Sequence, residues 1–258
     1  MRALAFFDVD ETLLNTKSMF DFLRFQLSES DYAHEIGKLR AMAARGADRG
    51  DINRAYYRLF AGASWTDLLA RGRLWYAEIR SGRRIGPPFI AAGVATLHNH
   101  RAAGHYTALI SGSFQPCLQP LAEHLGADII LGTEPEIDSA GRLTGEVYQP
   151  VIGPGKRLAA HAAANQHGLA LRDCYAYGDH ASDLDLLQAV GMPTAIGQDP
   201  LLLTHAHAAD WPVLSATELV ADPETALTAG NTSCTCGCAV AAWSIPTEAT
   251  TEWTCASR

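Results

Sequence analysis

The sequence predicts an α/β protein: a doubly wound parallel sheet with a block of helices set into it. Three observations carry this. Short apolar runs alternate with helix-period segments along most of the chain, the pattern of a parallel sheet covered by helices. Residues 15–88 interrupt that alternation with helices alone. Polar, glycine-flanked residues follow several of the apolar runs, where ligands bind in an open parallel sheet. The α/β core is therefore expected in 1–14 plus 89–220, an inserted all-helical cap in 15–88, and a C-terminal extension in 221–258.

Ala3–Asp8 reads as a buried strand, apolar and ending in acid. Beyond it Met19, Phe20, Phe22, Leu23 and Leu27 recur at helical spacing with a broad apolar face. A second helix is expected over Tyr32–Ala44, ended near Gly46. Asp51 is placed to cap a third, through Phe60. Ser64 with Asp67 resembles a capping box that opens a fourth, through about Ile79. Gly82–Pro88 breaks the pattern. Phe89–Arg101 then reads as helix, Tyr106–Ile110 as a strand ending at Ser111, and Gln115–Leu125 as a helix closed by Gly126. Asp128–Leu131 is strand-like, and Glu134–Val147 suggests a β-hairpin around Ser139-Ala140-Gly141. Pro154–Gln166 reads as helix, Cys174–Tyr177 as strand, Leu184–Val190 as helix, Pro193–Ile196 as a short strand and Leu201–His207 as helix.

Composition narrows the function. Of 258 residues, 48% are hydrophobic, enough for a substantial core. No apolar run reaches the ~18 residues of a membrane span, and the opening residues have no signal-type segment. A cytoplasmic protein without a membrane partner is expected. The net charge of −8 argues against nucleic acid. The charge is unevenly spread: Asn15–Ile90 holds 13 Lys/Arg against 8 Asp/Glu, and the remainder 7 against 20. A basic segment in an acidic body would draw anionic substrates; a helical surface built with arginine accounts for the same counts.

Four strings carry chemistry. Asp8 and Asp10 end the first strand, and residues two apart on extended chain point the same way. One carboxylate can attack phosphorus while the other moves protons. Alone, a D-x-D string fits an acidic turn equally well. Ser111-Gly112-Ser113 follows the second core strand, where a hydroxyl, accessible backbone N–H groups and a helix start can hold phosphate oxygens; an N-capping serine is the plainer reading. Lys156 opens a helix, where its charge opposes the dipole, so a phosphoryl oxygen as its partner would explain it. Gly178-Asp179 with Asp183 brings more hard oxygen to the same sheet edge, which suits Mg²⁺. His180, with no other histidine at useful spacing, reads as a surface or substrate-side group. Singly these signals are weak to moderate; their order, each at a strand end or helix start, is what carries weight.

On these residues the chain resembles the haloacid dehalogenase superfamily, and within it the phosphoserine-phosphatase-like subfamily with a helical cap after the first motif. The resemblance covers about residues 3 to 215. It implies a Rossmann-like core and a phosphatase using Mg²⁺ on a small phosphorylated metabolite. It implies Asp8 as the nucleophile that becomes an aspartyl-phosphate, and Asp10 as acid and then base, its backbone carbonyl on the metal. It further implies Thr12 as a buttress, Ser111, Gly112 and Lys156 as phosphate holders, Asp179 as a metal ligand and Asp183 as support for the metal site. A phosphotransferase would use the same residues. A binding protein that kept the fold would have no need of both acids.

Two departures bear on substrate. Glu11 stands where the family often has glycine or serine, so the pocket beside it can differ. Lys17 stands where phosphoserine phosphatases carry a glutamate that meets the substrate's amino group. A cation there repels an ammonium, so the expected leaving group is neutral or anionic and the substrate is not phosphoserine. Arg45, Arg49 and Arg54 are further candidates for substrate selection in the cap.

The composition shifts at Gly230: the last 29 residues hold four cysteines and nine Ser/Thr with three charged groups. A disordered extension, a thiolate metal clip around Cys234, Cys236 and Cys238, and a modified-peptide-like segment all fit this string.

Overall fold

The structure is a computed structural model, and it describes residues 2–229. The cysteine-rich segment from Gly230 onward, with the readings attached to it, lies outside the described residues.

In chain order the elements open with β1 (Leu4–Phe7) and four helices: α1 (Ser18–Gln26), α2 (Glu29–Ala44), α3 (Arg49–Arg58) and α4 (Trp65–Arg80). Next come β2 (Phe89–Ile90), α5 (Ala91–Ala102), β3 (Tyr106–Ser111), α6 (Gln115–Leu125) and β4 (Ile129–Gly132). The hairpin β5 (Pro135–Ile137) and β6 (Leu143–Val147) leads into α7 (Pro154–Gln166), β7 (Tyr175–Gly178), α8 (Leu184–Leu187), β8 (Met192–Ile196) and α9 (Pro200–Ala208). The last elements are β9 (Val213–Leu214), β10 (Leu219–Val220) and α10 (Pro223–Ala229).

Six strands form a parallel sheet in the order β4-β3-β1-β7-β8-β9. The chain leaves β1 toward β3 and β4, then returns to β7 on the other side. The winding therefore reverses at β1, and the reversal leaves a crevice at the carboxyl ends of β1, β3 and β7.

Strand alternation explains the two cores. Leu4 and Phe6 join Ala108, Ile110 and Ala176 on one face, under Ala160 and Ala164 of α7, Leu186 of α8 and Leu202 of α9. Ala5 and Phe7 join Leu109 and Tyr177 on the other, with Val94 and Leu97 of α5 and Leu118 and Leu121 of α6. Both faces are covered, so β1 is apolar throughout, as a central parallel strand must be.

The helices α1–α4 pack on the second of these cores through aromatic rings. Phe22 and Tyr57 lie 5.7 and 5.3 Å, ring centre to centre, from Phe114, which precedes α6. Gly72 of α4 faces the Pro116 carbonyl of α6 so closely that an added Cβ would fall 2.0 Å from that oxygen. The insert is thus seated directly on the loop that follows Ser111.

Local differences from the sequence reading have local causes. Phe89–Ile90 forms a strand and not the first turn of a helix, because it pairs antiparallel with Leu219–Val220. The cap of α3 is Asp48, which accepts from the Gly50 N–H, and Asp51 falls in the first turn. The helix at Leu184 stops at Leu187, short of Val190. The helix α10 follows position 220 and buries Ala226 in the core.

Candidate active site

The chain folds so that all four chemical strings meet at the crevice. Asp8 follows β1, Ser111 ends β3, Asp179 follows β7, and Lys156 enters from the first turn of α7. The backbone N–H of Asp8 donates to the Tyr177 carbonyl at 2.9 Å, which locks the first string against β7.

At the centre the Lys156 ammonium lies 2.6 Å from Asp8 Oδ1 and 2.6 Å from Asp183 Oδ1. All three are buried. Asp8, Asp179 and Asp183 each bring a carboxylate oxygen to within 4.8 Å of one another. Thr12 Oγ1 donates to Asp179 Oδ1 at 3.2 Å, and the His180 N–H donates to Asp183 Oδ2 at 3.3 Å. Gly178 leaves no room for a side chain: an added Cβ would lie 2.7 Å from the Asp183 carboxylate.

Two of the three clustered carboxylates therefore share the one ammonium, with Asp179 beside them, and the ionisation equilibria follow. Burial pushes the Asp8 carboxyl up, more than adjacent Lys156 pulls it down, and Asp183 adds repulsion. Burial, then Asp8 and Asp183, push Asp179 up to about 9. Burial works against the charge on Lys156, but Asp183 and Asp8 outweigh it and raise its pKa. The excess of buried negative charge, carried on hard oxygen donors, fits a divalent cation such as Mg²⁺.

This has a measurable consequence. Asp179 is raised when folded, so it contributes stability that is full below its ordinary value of 3.8 and is lost as pH rises toward about 9. A divalent cation needs the ionised form and competes with that proton. Mg²⁺ is therefore expected to raise the melting temperature more at a pH of about 8 than at about 5, read by thermal melts against EDTA. Equal increments at both would count against the cluster as a cation site.

Asp10 stands apart from the three-carboxylate cluster. Its Oδ1 accepts from the Ser18 N–H at 3.0 Å, at the start of α1. Burial first, then repulsion from Asp8, push it up to about 6 against the Ser18 hydrogen bond. An acid in that range can both give and take a proton near neutrality.

Ser111 is buried, and its Oγ accepts from the Ser113 N–H at 3.1 Å. The Gly112 carbonyl accepts from Asn53 Nδ2 at 2.9 Å and from the Tyr57 hydroxyl at 3.0 Å. Both donors come from α3, so the helical insert itself orients the loop expected to hold phosphate. The sequence reading passed over Asn53 and Tyr57, whose only signal was two polar groups on the apolar side of a helix.

A cavity of about 530 Å³ opens onto Asp8. Asp10, Glu11, Lys17, Ser111, Gly112, Lys156 and Asp179 line it. Lys17 donates to Glu11 Oε2 at 2.6 Å, so the cation expected to select substrate is paired with the neighbouring acid. Glu11 adopts φ 62°, a left-handed backbone that a non-glycine residue takes at a cost of roughly 1–2 kcal/mol. Of the three candidate arginines, Arg49 reaches the cavity and meets His180 Nδ1 at 2.9 Å. Arg54 donates instead to the Val147 carbonyl at 3.1 Å, and Arg45 ends α2 away from the lining. His180 lines the cavity, and Arg40, not singled out from sequence, does so too.

The doubly wound sheet, the acid pair after its first strand and the buried lysine together define a haloacid dehalogenase-type phosphatase. The chain belongs to the haloacid dehalogenase-like hydrolase family, whose model matches residues 5–188. It is 29% identical over 228 residues to an "inhibition of morphological differentiation protein" of Streptomyces azureus, covering 83% of this chain and 78% of the relative. It is 30% identical over 226 residues to a phosphoserine phosphatase of Mycobacterium tuberculosis, covering 83% and 70%. Among solved structures, a Bordetella pertussis protein of unknown function matches with a TM-score of 0.73 at 28% identity, over 83% of this chain and 98% of that one. A substrate-bound phosphoserine phosphatase shares the fold at 20% identity and a TM-score of 0.61, over 89% of this chain and 98% of that one. Among the described residues no helix is long and apolar enough to cross a membrane.

Proposed function

We propose that this chain hydrolyses a small phosphomonoester other than phosphoserine, with Mg²⁺, through an aspartyl-phosphate on Asp8. One observation carries the reading: a buried acid at the switch point, 2.6 Å from a lysine, inside a cluster of carboxylates with more negative charge than it can neutralise. Bound Mg²⁺, held by Asp8, Asp179 and the Asp10 backbone with Asp183 behind them, would offset the charge that the substrate phosphate adds.

The chain's own residues divide the remaining work. An Asp8 oxygen bonds to phosphorus as the bond to the leaving oxygen breaks, and Asp10 gives that oxygen its proton. Asp10 then takes a proton from the water that attacks the aspartyl-phosphate. Orthophosphate leaves and the Asp8 carboxylate is restored. Lys156 orients Asp8 and, with Ser111 and the Gly112 backbone, holds the transferring oxygens. Near a pKa of about 6, Asp10 is suited to both halves of this cycle.

Two features support a substrate other than phosphoserine. Position 17 holds a lysine, and Glu11, the acid beside it, is occupied by that lysine. An ammonium on the leaving group would find no free carboxylate there. The reading thus departs from the substrate named for the Mycobacterium tuberculosis relative. The test is a panel of phosphomonoesters assayed for orthophosphate release with Mg²⁺ and with EDTA. Turnover is expected with Mg²⁺ only, with phosphoserine among the poor substrates. Phosphoserine ranking first, or full rates in EDTA, would overturn the corresponding part.

A further inference from the structure

The cavity extends beyond what a phosphoryl group needs. About 530 Å³ falls within the range of sites that enclose a whole organic ligand. Its wall away from the carboxylates is apolar: Met19 and Phe20 of α1, Ile36 and Leu39 of α2, and Ile52 of α3. Ile36 and Leu39 are buried from bulk water, yet they face this cavity. Ile36, Leu39, Arg40 and Ala43 follow helical spacing, so one face of α2 forms a continuous stripe along the cavity.

Arg40 sits within that stripe. Its side chain is exposed and has no ion pair or hydrogen bond among the described residues. An arginine can lay its stem on apolar surface and keep its guanidinium free for an anion. The acids that line the same cavity are otherwise engaged. Asp8 and Asp179 belong to the central cluster, Asp10 accepts from Ser18, and Glu11 holds Lys17.

We propose that the leaving group is an alcohol with an apolar body of several carbons, seated against α1, α2 and α3, and ending in an anionic group that Arg40 binds. This rests on the phosphomonoester reading above and names the class of substrate. The apolar wall recognises the body by excluding water from it. Arg40 rejects an ammonium at the far end and pairs with a carboxylate or second phosphate.

The test separates binding from turnover. Alkylphosphonates of increasing length, which cannot be hydrolysed, are titrated calorimetrically into the full chain with Mg²⁺. Affinity is expected to rise about threefold to fourfold per methylene while the chain still fits the cavity. A terminal carboxylate should improve binding about tenfold over the neutral chain, and Arg40→Gln should remove that gain. A terminal amine should bind worse than either. Affinity that does not change with length overturns the proposal, as does a carboxylate preference that survives Arg40→Gln. The matching alkyl phosphates are then assayed for orthophosphate release. Length-dependent phosphonate binding without turnover of any phosphate would retain the pocket assignment and remove the hydrolase reading. Turnover of every phosphate, with phosphonate affinity and turnover rates both indifferent to length, would do the reverse.

Discussion

Replacing Asp8 by asparagine is expected to leave a folded protein that does not turn over a phosphomonoester. The amide keeps the size of the side chain but has no charge with which to attack phosphorus. Loss of a nucleophile typically lowers kcat on the order of 10⁴-fold or more. The fold should survive for an electrostatic reason. Asp8 is one of three clustered carboxylates, and Lys156 keeps its second partner, Asp183, at 2.6 Å. Asp8→Asn removes repulsion from an over-acidic cluster, so the melting temperature in EDTA should be unchanged or higher. Rates on p-nitrophenyl phosphate and melts in EDTA check the two halves. Retained turnover would dismiss Asp8 as nucleophile, and a large fall in melting temperature would point to a structural role.

Lys156→Met is expected to damage both stability and activity. The methionine preserves much of the volume but leaves Asp8, Asp179 and Asp183 facing one another with no cation from the protein. Stranding one side of a buried ion pair costs about 3–5 kcal/mol. Loss of a preorganised charge at a transferring phosphoryl group costs on the order of 10²–10³ in kcat. The raised pKa of Lys156 means its stabilisation is fully present at neutral pH and is lost only as pH climbs through the folded value. The variant's carboxylates can instead take up protons, so its deficit should shrink as the solution is acidified. Adding Asp183→Asn to Lys156→Met should recover part of the loss, because the two side chains share one contact. Denaturant melts of the four proteins in the cycle measure that coupling; strictly additive losses would mean the pair does not interact as the geometry requires.

Much of this was legible in the chain itself, for a local reason. A central parallel strand must be apolar on both faces, so Leu4–Phe7 announces itself, and the acids that follow must lie at the strand's end. The same holds for Tyr106–Ser111 and Tyr175–Gly178. Helices α4, α6 and α7 declare their extent by period and by caps such as Ser64 and Gly126, whereas α2 starts at Glu29, ahead of the expected Tyr32, because Ser28 caps it. Two-residue strands carry no period. Phe89–Ile90 and Leu219–Val220 become strands only because each finds the other across some 130 residues of chain.

The amino-acid order alone therefore determined the doubly wound core, the helical insert and the four strings proposed to hold the chemistry, since each depends on residues within a turn or strand of one another. Folding decided how those strings balance. It put two acids on one lysine with a third beside them, turned Asp10 toward α1, and tied Lys17 to Glu11. It also left Arg40 without an ion pair or hydrogen bond among the described residues, along an apolar wall. Those outcomes depend on distances between groups far apart in the chain, where burial strengthens charge interactions and only packing decides which partner is within reach.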